Sequence, residues 1–356
     1  MAKPTRIYGA HIVQFILDCL KPLGLSGGDA MKVAMLMYYA DLAGADAHGV
    51  FRLPQYVRRI KAGGINPKPN ITVEKTAPAT AMVDGDNGMG HLVMAQAAKT
   101  AIELAKETGV AWVGARRSNH AGAAGVYAEM ALDADMVGIY AVVANANHMP
   151  MWGGAENLLG TNPIAFAIPA GEEPPVVLDI ATTVVSYGTV KSYRLLGKPM
   201  PEGWMVDAKD GAPLTDSARS AEGLLLPIGG YKGAGLALVL GLLAGTLNGS
   251  AFGRDVIDFN YNDTDACDTG HFFIALDVSR FLPIDVFKRE IDLQLRELRN
   301  SQRLPGVDAI RLPGEQRAAR QDDRKRNGVP IAAEVLAQLD KLADEIGVKK
   351  LSARQD

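Results

Sequence analysis

Cysteine is scarce in this chain: there are two, Cys19 and Cys267, in 356 residues. They can build neither a disulfide framework nor a thiolate zinc cage, so a reducing, cytoplasmic setting is expected. An excess of charge is missing as well, with 37 basic residues against 40 acidic ones and a net balance of −3. Such a surface has no basic face to neutralise phosphates, which argues against nucleic acid as a partner. Long apolar runs are also absent. The longest, Leu236 to Leu247, is interrupted by glycine and falls short of the ~20 apolar residues a membrane-spanning helix needs. The start, Met1-Ala2-Lys3-Pro4-Thr5, has no apolar segment of a secretion signal. No membrane partner is expected.

Several chemical signatures are missing too. Neither Gly85-Asp86-Asn87-Gly88-Met89-Gly90 nor Gly230-Tyr231-Lys232-Gly233-Ala234-Gly235 has the G-x-G-x-x-G spacing that opens a dinucleotide-binding helix. There is no Walker A loop, no G-x-S-x-G nucleophile elbow, and no H-E-x-x-H or C-x-x-C. The chain is therefore expected to be neither a Rossmann enzyme, a P-loop NTPase nor an α/β hydrolase, and to hold no metal.

What remains is an ordinary globular composition, 48% hydrophobic and 22% charged, long enough for two domains of ~100–200 residues. Apolar residues at helical spacing predict helices over His11–Leu20, from Ser26 towards Gly44, and over Leu53–Ala62 with a stop at Gly63-Gly64. Strands are predicted at Thr80–Asp84, Val110–Gly114, Met136–Ala144, Ile164–Ile168, Val176–Ile180 and His271–Val278. Helices are predicted at Met89–Thr108, Ala121–Ala134, Pro283–Arg299 and Ile331–Ile346. Gly233–Asn248 is so uniformly apolar that it is expected to be buried on all sides. The charge-dense Arg317–Arg326 segment reads as a solvated loop. The expected class is α/β, with a mixed body in the middle and helical segments from both chain ends.

Candidate chemistry gathers where polar residues follow these elements. His48, in Asp46-Ala47-His48-Gly49-Val50-Phe51-Arg52, could move a proton near neutral pH, and Arg52 could clamp a carboxylate. The competing reading is a plain turn histidine with a structural arginine. His120 ends the donor-rich run Arg116-Arg117-Ser118-Asn119-His120 after a strand, where α/β proteins bind ligands; a helix cap there is the alternative. His148 lies in a polar loop shortly before Gly160-Thr161-Asn162-Pro163. Asp179 ends an apolar strand; it either orients a histidine or caps the next segment. Pro227-Ile228-Gly229-Gly230-Tyr231-Lys232-Gly233 could present backbone N–H groups to an anion.

Taken in order, these motifs resemble the type 2 malate/L-lactate dehydrogenase family, whose members include lactate, malate, ureidoglycolate and sulfolactate dehydrogenases. The likeness runs from about Ile12 to Ile346. It rests on Asp46–Val50 with Arg52-Leu53-Pro54 and Tyr56, on Gly64-Ile65-Asn66-Pro67, Arg117–His120, Gly160–Pro163 and Leu178–Thr182. It continues through Pro201-Glu202-Gly203-Trp204, Pro227–Gly233 and Pro313-Gly314-Glu315. The resemblance implies a non-Rossmann fold that binds NAD or NADP, a homodimer, and hydride transfer to or from a small 2-hydroxy or 2-oxo carboxylate. It implies a helical unit of residues 1–75 plus 283–356 carrying the catalytic histidine, and a cofactor-binding α/β unit of residues 76–282. By the same resemblance His48 is the catalytic acid/base supported by Asp179, and Arg52, His120 and Thr161 line the substrate pocket. Asp179, Ile180, Ala181, Thr182, Tyr231, Lys232, Gly314 and Glu315 are the expected cofactor contacts. Some members reduce cyclic imino acids, and a catalytically silent nicotinamide-binding homologue is the alternative of another class. Two departures stand out. Ala47 precedes the histidine where the family has serine, and Gly188 is followed by Thr189, with a lysine only at Lys191 where the family has Gly-Lys.

Overall fold

A computed structural model describes residues 4–354. The chain begins with strand β1 (Thr5–Ile7) and helices α1 (Gly9–Leu20), α2 (Gly27–Leu42) and α3 (Leu53–Ala62). Ser26 caps α2 by accepting the Asp29 N–H at 3.1 Å, and Gly63 ends α3 in a left-handed conformation, φ 90°. Strands β2 (Thr72–Ala77) and β3 (Thr80–Asp84) then lead into α4 (Gly90–Thr108), β4 (Val110–Ser118), α5 (Ala124–Ala128) and β5 (Met136–Val142). After these come β6 (Ile164–Ile168), β7 (Val176–Ile180), α6 (Tyr187–Leu195), β8 (Met205–Asp207), β9 (Gly223–Leu225), α7 (Tyr231–Ala244) and β10 (Thr269–Asp277). The chain closes with α8 (Ile284–Asn300), α9 (Glu315–Asn327), β11 (Val329–Ile331) and α10 (Ala333–Ile346).

The body is a sheet in the order β2-β3-β4-β10-β5-β6-β7, in which β3–β4 is the parallel pairing and the other neighbours run antiparallel. A doubly wound nucleotide fold would be mostly parallel, so the missing glycine fingerprint and the topology agree. Side chains alternate across the sheet as strand geometry demands. Tyr140 and Val142 of β5 join α4 and α5 on one face, while Ala141 and Val143 meet Leu240 and Ala244 of α7 on the other. A separate apolar core, built from α1, α2, α3, α10 and the β1–β11 pair, joins the two chain ends. Helix α8 is tied to the sheet side, since Asp292 accepts the N–H groups of Gly171, Glu172 and Glu173 before β7.

The structure departs from the sequence reading at several places. Arg317–Arg326 is helical, inside α9, because Arg317 finds Glu129 at 2.5 Å and Arg324 reaches Asp46 and the Asp41 carbonyl. Helix α7 buries only one stripe, Ala237, Leu240, Gly241 and Ala244, while Leu236, Val239 and Leu242 stay exposed in the single chain. The helix expected over Ala121–Ala134 shrinks to the five residues of α5 followed by a tighter turn at Glu129–Ala134.

Candidate active site

The segment between α2 and α3 consists of two tight turns, Asp46–His48 and Val50–Arg52. It is pinned from both ends. The buried Asp41 carboxylate accepts the Val50 N–H at 2.9 Å, and Arg324 grips Asp46. A Cβ at Gly49 would overlap the Asp41 carboxylate, so only glycine lets the turn close on that anchor. Arg52 is thereby buried at the start of α3. Its Nε donates to the Ala47 carbonyl at 2.9 Å and its Nη1 to Gln55 Oε1 at 3.0 Å. Its Nη2 has no protein partner among the described residues.

His120 arrives from the sheet. Asn119, fully buried, donates to the Asn87 and Gly88 carbonyls at 3.0 Å and so fixes how the chain leaves β4. The His120 ring lies parallel to the His48 ring, 5.9 Å away and tilted by 8°, and Phe259 stacks on it at 5.0 Å. Its Nδ1 accepts the Gly122 N–H at 3.3 Å and sits 2.6 Å from the Tyr56 hydroxyl. A backbone N–H can only donate, so Nδ1 carries no proton and Nε2 is the protonated nitrogen of the neutral ring. Burial raises the Tyr56 hydroxyl's pKa, keeping it a phenol that can donate. The His48 ring, by contrast, makes no hydrogen bond to protein among the described residues. Burial, with the Arg52 charge beside it, lowers its pKa to about 4, and His120 is held well below the ordinary imidazole range for the same reasons. Both rings are therefore neutral at pH 7.

His48, Arg52, His120 and Thr161 line one inner cleft with Tyr140, Asn145, His148, Tyr187, Phe259 and Asn260, and no carboxylate borders it. Its volume is about 90 Å³. At ~10–15 Å³ per water-sized position that is room for several water-sized groups. A larger cleft of about 380 Å³ adjoins it, sharing His48, Gly122, Thr161, Pro163, Ser186 and Gly188. Small residues, Gly44, Ala45, Ala47, Ala123, Ala124 and Ala181, form much of its lining, to which Asp46 and Asp179 also contribute. His48 is thus at the junction of the two spaces.

The remaining candidates fall in different places. Thr161 is stitched to Thr182, whose N–H and Oγ1 both donate to its carbonyl at 2.9 Å. Asp179 accepts the Gly125 N–H at 2.8 Å and makes no hydrogen bond to His48 among the described residues. Ile180 ends β7 between Asp179 and Ala181. Tyr231 and Lys232 begin α7, are exposed, and border neither cleft. Gly314, at φ 99°, rests against β7 just before α9, and Glu315 pairs with Arg299 at 2.6 Å; neither reaches the two clefts.

Comparison with known proteins bears on what this arrangement is. The family model described as malate/L-lactate dehydrogenase matches residues 9–340. The malate dehydrogenase of Pyrococcus abyssi is 38% identical over 98% of this chain and 96% of its own length. The L-sulfolactate dehydrogenase of Methanocaldococcus jannaschii is 39% identical over 94% of this chain and 95% of its own. The solved malate dehydrogenase of Pyrococcus horikoshii superposes with a TM-score of 0.89 at 35% identity, covering 98% of this chain and 97% of that one. The chain belongs to the malate/L-lactate dehydrogenase family. It is an oxidoreductase of the type that family contains.

The outer cleft has room for part of a nicotinamide cofactor. Its volume falls within the ~300–1,000 Å³ usual for ligand pockets, and its glycine and alanine walls leave flat surface for a ring system. The residues present fit the group. The sequence reading missed Tyr56, Tyr187, Phe259 and Asn260 as site residues. Tyr56 carried a signal, standing four residues after Arg52 and so on the same helical face. Phe259 and Asn260 carried none. They are brought in by Gln55, which binds the Phe259 carbonyl, and by Arg59, which binds the carbonyls of Asn262 and Asp265. Among the described residues no group of three His, Cys, Asp or Glu side chains could hold a metal ion, and no helix is long and apolar enough to cross a membrane.

Proposed function

We propose that this protein is an NAD(P)-dependent dehydrogenase that interconverts a small 2-hydroxy acid and its 2-oxo acid. The observation that carries the reading is Arg52: a buried guanidinium with an uncommitted nitrogen, in a cleft without a carboxylate, facing two neutral imidazoles. A buried charge without a counter-ion is costly, and a substrate carboxylate would complete it through paired N–H donors.

The roles follow from position. Arg52 holds the substrate carboxylate, which places the neighbouring carbon–oxygen bond between the imidazoles. His120, its tautomer set by Gly122 and Tyr56, donates from Nε2 to that oxygen. His48, with no protein partner, takes the hydroxyl proton during oxidation and returns it during reduction. A bound carboxylate also cancels the Arg52 charge that disfavours protonation of His48, so the imidazole gains basicity when substrate arrives. Asp179 and Ala181, which line the outer cleft, would hold the cofactor there, with Thr182 behind them bound to Thr161, and nicotinamide, when bound, supplies or accepts the hydride. Homodimerisation is part of the proposal; the exposed apolar side chains of Leu236, Val239 and Leu242 on α7 support it, and a mass twice that of the chain by light scattering would check it.

The test is absorbance at the reduced-nicotinamide band, with NADH and NADPH in parallel, against pyruvate, oxaloacetate, sulfopyruvate and a cyclic imine. Oxidation with a 2-oxo acid is expected. Oxidation with the imine alone would overturn the substrate class, and cofactor binding without any turnover would indicate a silent homologue. In the same assay His48→Ala should lose roughly a hundredfold or more in turnover; a loss of only a few-fold removes His48 from the chemistry.

A further inference from the structure

One more cation stands just behind the cleft wall, held against two residues that line it. Helix α6 begins at the cleft, with Ser186, Tyr187 and Gly188 on its wall, and Lys191 follows Tyr187 by one helical turn on the same face. The Lys191 ammonium is half-buried. It donates to Asn260 Oδ1 at 2.5 Å and lies 5.6 Å from the centre of the Tyr187 ring, and both partners line the cleft. His148, another lining residue, stacks on Tyr187 with ring centres 3.5 Å apart.

No carboxylate pairs with this ammonium among the described residues. Asp258 is close enough to be felt, yet its Oδ1 is engaged by the Asn260 N–H at 2.8 Å. Burial and the neighbouring Arg52 lower the Lys191 pKa to about 8, so it is still mostly charged at pH 7 and carries that charge at a cost. The arginines of α8 and α9 are treated differently: Arg296, Arg299, Arg317 and Arg324 each meet an acid. A half-buried cation left with a neutral amide, one side chain behind the cleft wall, is within reach of an anion the protein does not itself supply.

We propose that Lys191 is a specificity residue, its ammonium reading a second anionic group on the substrate side chain while Arg52 holds the 2-oxo carboxylate. This rests on the dehydrogenase reading above and makes the preferred substrate a dianion. A 2-oxo acid with an uncharged side chain would leave Lys191 unanswered.

The experiment compares oxaloacetate with pyruvate in wild type, Lys191→Met and Lys191→Arg. Lys191→Met should raise KM for oxaloacetate by roughly tenfold or more, about the worth of one charged hydrogen bond. Its kcat should stay within a few-fold, its kcat/KM for pyruvate should be unchanged, and Lys191→Arg should restore the preference for oxaloacetate. Equal effects on both substrates, or none, overturn the proposal. Lys191→Gln provides the same comparison if the methionine variant does not fold. Calorimetric titration with malonate and with acetate separates this proposal from the reading beneath it. Wild type should bind malonate more tightly, and Lys191→Gln should lose that preference. Malonate discrimination without nicotinamide oxidation by any 2-oxo acid would sink the dehydrogenase reading and leave the anion site standing, whereas no discrimination in wild type sinks the site.

Discussion

Arg52, just before α3, and Arg59, within it, are two helical turns apart, both buried, neither paired with a carboxylate, and they do opposite things. Arg59 is turned into the protein, where its Nε is buried without a partner. Its guanidinium donates to the carbonyls of Asn262, Gly64 at 3.1 Å and Asp265 at 2.6 Å, and it lies over the Phe259 ring at 5.2 Å. Those contacts hold the loop that carries Phe259 and Asn260 to the cleft. Arg52 has neutral partners at Nε and Nη1, an open Nη2, and the cleft in front of it. Burial and charge do not distinguish a structural arginine from a binding one. What the uncommitted nitrogen faces does: among the described residues each arginine leaves one without a partner, Nε of Arg59 inside the protein and Nη2 of Arg52 at the cleft.

Substitution should separate the two. Arg52→Ala is expected to lower kcat/KM for a carboxylate substrate by roughly a hundredfold to a thousandfold, chiefly through KM, because a buried charge-assisted pair is lost. Its melting temperature should fall less than that of Arg59→Met, since loss of the Ala47 and Gln55 hydrogen bonds is offset by removal of a buried charge without a counter-ion. An unchanged KM would end the clamp assignment. Arg59→Met should do the reverse. It orphans three carbonyls at a cost on the order of 3 kcal/mol and should lower the melting temperature by several degrees. The fraction that remains folded should still show a Michaelis constant within a few-fold of wild type. If Arg59→Met instead raised KM as far as Arg52→Ala does, the contrast between the two arginines would be false.

The same contrast explains what could be read from the sequence. Local patterns were legible where local forces decide. The Ser26 cap, the Gly63 stop and the alternation along β5 each follow from neighbouring residues. His48, Arg52, His120 and Thr161 stand beside glycine, proline or strand ends that expose them, and the structure does bring these four to one cleft. Illegible parts depend on partners far along the chain. Helix α9 reads as solvated because its arginines meet Glu129 and Asp46, which no window of the sequence contains. The short strands β1 and β11 pair across the whole length of the chain. Phe259 and Asn260 have no motif of their own and reach the cleft through Gln55 and Arg59, some 200 residues earlier. The outer face of α7 reads as core because composition counts apolar residues and does not say against which surface they lie.

The smallest expected effect tests the electrostatic half of the comparison. His48 titrates at about 4 in the substrate-free protein because of burial first and the Arg52 charge second. Removing a positive neighbour favours the protonated imidazole, so Arg52→Gln should raise the His48 pKa, while burial should keep it below the 6.5 of a free ring. Arg59→Met should leave it near 4, since its guanidinium is committed to carbonyls and does not act on His48. Imidazole proton resonances followed from pH 3 to pH 8 would read the shift directly. In wild type the ring is neutral above that low pKa, so proton abstraction during oxidation should persist well below pH 6.5 and fail as the pH falls toward about 4. A His48 that titrated at 6.5 in wild type, or that moved equally in both variants, would mean that Arg52 faces solvent and not the cleft.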